Sequence, residues 1–168
     1  MRPWVFLSVA AGALVLQGAV VPHLAVGQVR PDLVLLVALA YGLLYGPEAG
    51  GRFGFVSGLL QDILLGKYVG VFALTRACAG YLAGLAERRF YKEQLLILVG
   101  VTALASVLTD LLFMGLMGAF GYPLRFTFSL RTVVLPAGLY NGLLSPLVYR
   151  GMTSLRDFER ARHKATGA

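Results

Sequence analysis

Residues 30–47 read RPDLVLLVALAYGLLYGP, and this stretch decides what kind of fold the chain adopts. A charged and proline-bearing opening, Arg30-Pro31-Asp32, gives way to Leu33–Tyr45, which holds no Asp, Glu, Lys, Arg or His, and Gly46-Pro47 closes it. Proline suits the first turn of a helix, where its missing N–H would be unpaired in any case. The apolar run has no polar face to offer water, so its surroundings are other helices or lipid.

The same pattern recurs in both directions. Upstream, apart from His23, nothing ionisable lies between Arg2 and Arg30, which predicts a first span near Trp4–Val21. Ala25-Val26-Gly27 would pass as a signal-peptidase site, but the apolar stretch exceeds the roughly 7–15 residues of a signal-peptide core. Downstream, a third span is expected near Gly51–Leu65, carrying Arg52 and Asp62. Gly66-Lys67-Tyr68 turns the chain into a fourth near Val69–Ala86, interrupted by Arg76. The polar loop Glu87–Glu93 precedes a fifth over roughly Gln94–Met117, with Asp110 inside it. Gly118–Phe128 reads as a connection to a sixth over Thr132–Tyr149, which contains Pro136, Asn141 and Pro146.

Composition agrees with lipid as the main solvent. Of 168 residues, 58% are hydrophobic and 14% charged, against roughly 25% charged in soluble domains. The expectation is an all-α membrane protein of six transmembrane helices, residues 1–150 forming the transmembrane domain and 151–168 a short basic cytoplasmic tail. The net charge of +7 does not indicate nucleic acid, because the basic residues cluster at the ends of apolar runs, where they orient the chain and meet anionic lipid. With both termini inside, ten basic residues (Arg2, Arg52, Arg88, Arg89, Lys92, Arg150, Arg156, Arg160, Arg162 and Lys164) face the cytoplasm, and four (Arg30, Lys67, Arg125 and Arg131) face out. The positive-inside rule therefore favours an N-in, C-in bundle in the bacterial cytoplasmic membrane.

In that orientation Asp32, Asp62, Arg76 and Asp110 all fall in the outer half of the bundle. Ionisable groups inside a bilayer are costly and pair with one another or face a bundle interior. A short hairpin joins the helices of Asp62 and Arg76, so Asp62 is the favoured partner of Arg76, with Asp110 next. A structural ion pair, an outward-facing pocket and a partner-contact surface are all compatible with the pattern. Ala73, Ala77, Gly80 and Gly84 make a small-residue stripe on the fourth helix, suited to close packing within the monomer or to docking of a partner's helix. Gly54 and Gly58, and Gly138 and Gly142, repeat the spacing on the third and sixth.

Catalytic and cofactor chemistry has no evident seat. The two histidines, His23 and His163, lie far from any nucleophile that they could activate, and Ser57 lacks the nucleophile-elbow spacing. One cysteine, Cys78, and scattered acids make no metal-ligand pattern, and no phosphate- or dinucleotide-binding loop is present. A non-enzyme without a cofactor is expected.

Two motifs in order, Arg30-Pro31-Asp32-Leu33 and Gly54-Phe55-Val56-Ser57-Gly58-Leu59-Leu60-Gln61-Asp62 followed by Gly66 and Gly70, resemble the MreD family of rod-shape membrane proteins. The likeness of motif order and spacing covers roughly Arg30–Gly84. It implies a role in bacterial cell elongation and lateral peptidoglycan synthesis beside MreC, with links to MreB, RodA and its penicillin-binding transpeptidase. It also implies a fold similar to the substrate-binding S-components of energy-coupling-factor transporters. Such an S-component is the alternative function, distinguishable by whether a single-pass MreC-like protein or an ATPase module copurifies.

Overall fold

The computed structural model describes residues 3–25, 27, 29–66, 69–87, 95–122 and 126–166, and among them the architecture is all-helical. The helices are α1 (Pro3–Ala19), α2 (Leu33–Tyr45), α3 (Pro47–Leu65), α4 (Val71–Glu87), α5 (Leu95–Ala119) and α6 (Leu135–Thr166). Arg2, Lys67, Arg125 and the loop expected at 88–93 lie outside the described residues, as do the side chains of Arg162, His163 and Lys164.

α2 is the central helix. Val34, Leu35, Leu36, Ala38, Leu39, Ala40, Tyr41, Gly42 and Leu44 are all buried, leaving little of its surface to any solvent. Its 13 residues rise only about 20 Å, short of the roughly 30 Å of a bilayer's hydrocarbon core. The neighbouring helices cover what it does not span. Its apolar side chains meet Phe6 of α1, Phe53 of α3 and Met152 of α6 in one cluster. Tyr41 stacks on Phe53 at 4.6 Å between ring centroids, and Phe6 meets the same ring edge-on at 5.1 Å.

Gly46-Pro47 does more than close α2. Gly46, at φ +89°, ends α2 and begins α3 in a single residue, and Pro47 occupies the first turn of α3. The third helix therefore starts four residues before the expected Gly51, because a helix N-terminus accommodates proline's missing donor. α3 then packs on α4 backbone to backbone. A Cβ at Gly54 would collide with the Arg76 carbonyl, one at Gly58 with that of Phe72, and one at Gly80 with that of Gly50. A Cβ at Gly84 would collide with Pro47. Ala73 is buried, and Ala77 borders Gly51 and Gly54. The stripe Ala73, Ala77, Gly80 and Gly84 thus lies against α3 and its junction with α2.

α6 departs from the sequence reading at both ends. A helical turn at Phe126–Ser129 and a π-helical turn at Leu130–Val134 lead into it without a break. Pro136 supplies the cause of the irregularity. It has no N–H and its ring crowds the carbonyl four residues back, and Leu135 N–H bonds Leu130 O in a wider turn. At the other end the helix runs to Thr166, so the boundary expected at 150/151 falls in mid-helix with Met152 in the core. Pro146 sits inside α6 without breaking it. The Gly142 carbonyl that it leaves without a helical donor accepts from Ser145 Oγ at 2.7 Å, the local repair that membrane helices use for proline.

The outer surface is apolar. Leu104, Leu108 and Leu112 on α5, and Leu135, Leu139, Leu143 and Leu147 on α6, form exposed leucine stripes at four-residue spacing. α5 and the segment 130–161 are long and apolar enough to cross a membrane, and only 17% of the most apolar stretch of α5 is buried. The core helix of a water-soluble protein would be mostly covered. Exposed leucine stripes on helices of this length fit a lipid solvent.

Candidate functional site

The polar residues converge at the end of the bundle where α2 begins, through two separate arrangements. In the first, Asp32 is the N-cap of α2, its Oδ1 accepting from Leu35 N–H at 2.9 Å. Its Oδ2 accepts from Arg76 Nη2 at 2.6 Å. Arg76 is 1% exposed, and its guanidinium lies 4.5 Å from the centre of the Phe72 ring, which in turn stacks on Phe113. The ring face offsets part of the cost of taking the cation out of water.

The preference for Asp62 as the partner of Arg76 is therefore corrected. Asp62, fully buried near the end of α3, instead closes the N-terminus of the next helix. Its Oδ2 accepts from Gly70 N–H at 2.9 Å and Ala73 N–H at 3.0 Å, and its Oδ1 from Phe72 N–H at 3.1 Å. A carboxylate at a helix start meets the positive end of the backbone dipole and up to four unpaired donors. Arg76 sits about a turn further along α4, beyond those donors, and its guanidinium reaches the start of α2 instead. Sequence separation alone favoured the nearer hairpin acid, whereas packing of α4 against α2 brought the more distant one.

Two side-chain amides pin the Arg30–Leu33 segment from opposite sides. Gln17 of α1 accepts from Leu33 N–H at 2.7 Å and donates to the Pro31 carbonyl at 3.3 Å. Asn141 of α6 accepts from Asp32 N–H at 2.9 Å and donates to Ser106 Oγ of α5 at 2.7 Å. Neither amide entered the expected cluster. Each is an amide within a largely apolar stretch of its helix, and that is the available signal. Arg30 and Arg131 are both exposed.

Arg30, Asp32, Arg76 and Asp110 line one half-open cavity of about 380 Å³, with Gln61 from the second motif on its wall. Of the four ionisable residues expected to cluster, three meet here, and Asp62 is engaged by the start of α4. Of the motif residues, Pro31 also lines this space, Leu33 opens α2, and Gly54 and Gly58 form the α3–α4 contact. Among the described residues no group of three or more His, Cys, Asp or Glu could hold a metal ion.

A second, apolar groove of about 270 Å³ runs between α4 and α5, lined by Cys78, Ala79, Ala83, Ala86, Val101 and Ala105 among others. It lies on a different side of α4 from the stripe that meets α3.

Comparison with known proteins finds one family, described as rod shape-determining protein MreD, which matches residues 1–155. No curated protein matches, and no solved structure matches.

Proposed function

The chain belongs to the MreD family of rod shape-determining membrane proteins, and from that premise we propose that it acts as a non-enzymatic scaffold of the cell-elongation complex. In this reading it spans the bacterial cytoplasmic membrane several times, N-in and C-in, and organises lateral peptidoglycan synthesis. MreC is its direct partner, with RodA, a penicillin-binding transpeptidase and MreB in the same assembly. The observation that carries the reading is the family match over residues 1–155.

The α4–α5 groove is the proposed seat for a partner's transmembrane helix. The stripe Ala73, Ala77, Gly80 and Gly84 is occupied by α3 and its junction with α2, whereas the groove is half-open, with alanines from both helices and leucines such as Leu82, Leu104 and Leu108 along it. Helices in lipid associate through close packing more than through hydrophobic push, so a half-open apolar groove with alanines in its lining is a suitable surface. The test is recovery of partners from native membranes with a tagged chain. Wild type should bring down a single-pass MreC-like protein, and Ala86→Leu should lose it while eluting as one monodisperse species. Unchanged recovery with Ala86→Leu would remove the groove from the reading, and recovery of an ATPase module instead would favour the transporter S-component, which the polar cavity also suits.

Orientation is tested separately. With Cys78 replaced, a cysteine introduced by Phe90→Cys should resist impermeant thiol reagents in sealed cells and react after permeabilisation. Ready labelling from outside would reverse the topology.

A further inference from the structure

The cavity beneath the Arg30 segment is not satisfied by its own walls. Arg76 uses Nη2 on Asp32, but its Nε and Nη1 are buried without a hydrogen-bond partner. Gln61 Oε1 on the same wall is also buried and unpaired. Asp110 faces this space and makes no hydrogen bond or ion pair among the described residues. Buried polar groups in folded proteins are nearly always partnered, and each exception calls for a reason. Here donors and acceptors are left over together, in one cavity.

The charges narrow the reason. Arg30 and Arg76 balance Asp32 and Asp110 around the cavity. Asp32 has both oxygens engaged, by Leu35 N–H and by Arg76. A simple anion would satisfy the free N–H groups of Arg76 but would face the Asp110 carboxylate. A simple cation would satisfy Asp110 and Gln61 but would face Arg76. A small group carrying both charges meets both walls at once. The cavity volume of about 380 Å³ lies within the roughly 300–1,000 Å³ of small-molecule sites. Its wall includes Val133 and Val134 of the π-helical turn, a distortion frequent at functional sites.

We propose that this cavity binds a zwitterionic head in which a primary ammonium and an oxyanion are joined, of the phosphoethanolamine kind. The oxyanion accepts from Arg76 Nε and Nη1, with Arg30 at the mouth. The ammonium donates to Asp110 and Gln61 Oε1. Phe113 and Met114 supply the apolar wall. Such a head arrives either on a membrane phospholipid or as a free soluble compound, and the chemistry of recognition is the same.

Two arms separate the sources. In the first, the purified protein is equilibrated with nanodiscs of phosphatidylethanolamine, phosphatidylglycerol or phosphatidylcholine, and retained lipid is counted by native mass spectrometry. Wild type should retain phosphatidylethanolamine at least tenfold over the other two, since one lacks an ammonium and the other has no N–H to donate. In the second, binding of soluble O-phosphoethanolamine is titrated calorimetrically. In whichever arm binding appears, Asp110→Asn should weaken it at least tenfold with unchanged elution, because the near-isosteric amide removes only the charge. Binding in the soluble arm alone assigns the site to a free compound. Equal retention of all three lipids with no soluble binding would overturn the inference, as would a preference that survives Asp110→Asn. Should that variant fail to fold, wild-type binding across the two arms decides by itself.

Discussion

Replacing Asp32 by Asn should damage the protein more than replacing Arg76 by Leu, and the double replacement should recover much of the loss. Asn retains an oxygen to cap Leu35 N–H, and Asn and Asp are comparable N-caps, so the capping bond contributes little to the difference. What changes is the pair. Asp32→Asn leaves the guanidinium of Arg76, 1% exposed, without its carboxylate, at a cost of about 3–5 kcal/mol for a buried charge stripped of its partner. Arg76→Leu leaves Asp32 alone, but that side chain is 28% exposed. Solvent then screens the orphaned charge, and about 2–3 kcal/mol is expected after that discount. Removing both charges can be near neutral, so the double variant should lie within about 1–2 kcal/mol of wild type, an interaction energy at or above the upper part of the usual range for contacting residues. The measurement is a double-mutant cycle on unfolding in detergent, followed by tryptophan fluorescence at Trp4 or by far-ultraviolet circular dichroism. Repeating the cycle with Asp62→Asn and Arg76→Leu should give a much smaller coupling, because Asp62 and Arg76 exchange no hydrogen bond and share only Phe72. If Asp62 couples to Arg76 and Asp32 does not, the assignment of the pair fails.

Three further outcomes follow from the same geometry. Asp62→Ala strips the start of α4 of three hydrogen bonds and should lower stability by at least about 3 kcal/mol, read as a lower unfolding midpoint; a change under about 1 kcal/mol would show that water caps α4 equally well. Gly54→Ala pushes a methyl group into the Arg76 carbonyl, where only a backbone shift relieves the clash, so folded yield on size exclusion should fall sharply. By contrast, Gly12→Ala meets nothing nearby and should leave yield unchanged. Ser145→Ala should cost about 1 kcal/mol by orphaning the Gly142 carbonyl, and adding Pro146→Ala should restore it, because residue 146 then donates the helical bond itself. Equal effects of Ser145→Ala with and without Pro146 would refute the repair.

Hydropathy along the chain by itself determined that the fold is helical, and the run Leu33–Tyr45 is α2 to the residue. Local chemistry also marked the helix starts, because a capping aspartate or a first-turn proline acts within a few residues of itself. The Asp32 cap is such a case, and so is Pro47, which closes one span in the sequence and opens α3 in the structure. What sequence could not supply was which buried charge meets which. Arg76 lies 14 positions from Asp62 and 44 from Asp32, and proximity along the chain pointed to the wrong acid. Only the packing of α4 against both α3 and α2 decided it, through glycine contacts that fix how α4 is rotated about its axis. With α4 held in that rotation, Asp62 meets backbone donors at its start and Arg76 meets Asp32. The roles of Gln17 and Asn141 were hidden for the same reason. An amide in an apolar stretch announces that it needs a partner, but the partners are the backbone of the Pro31–Leu33 segment and Ser106, brought to it only by tertiary packing.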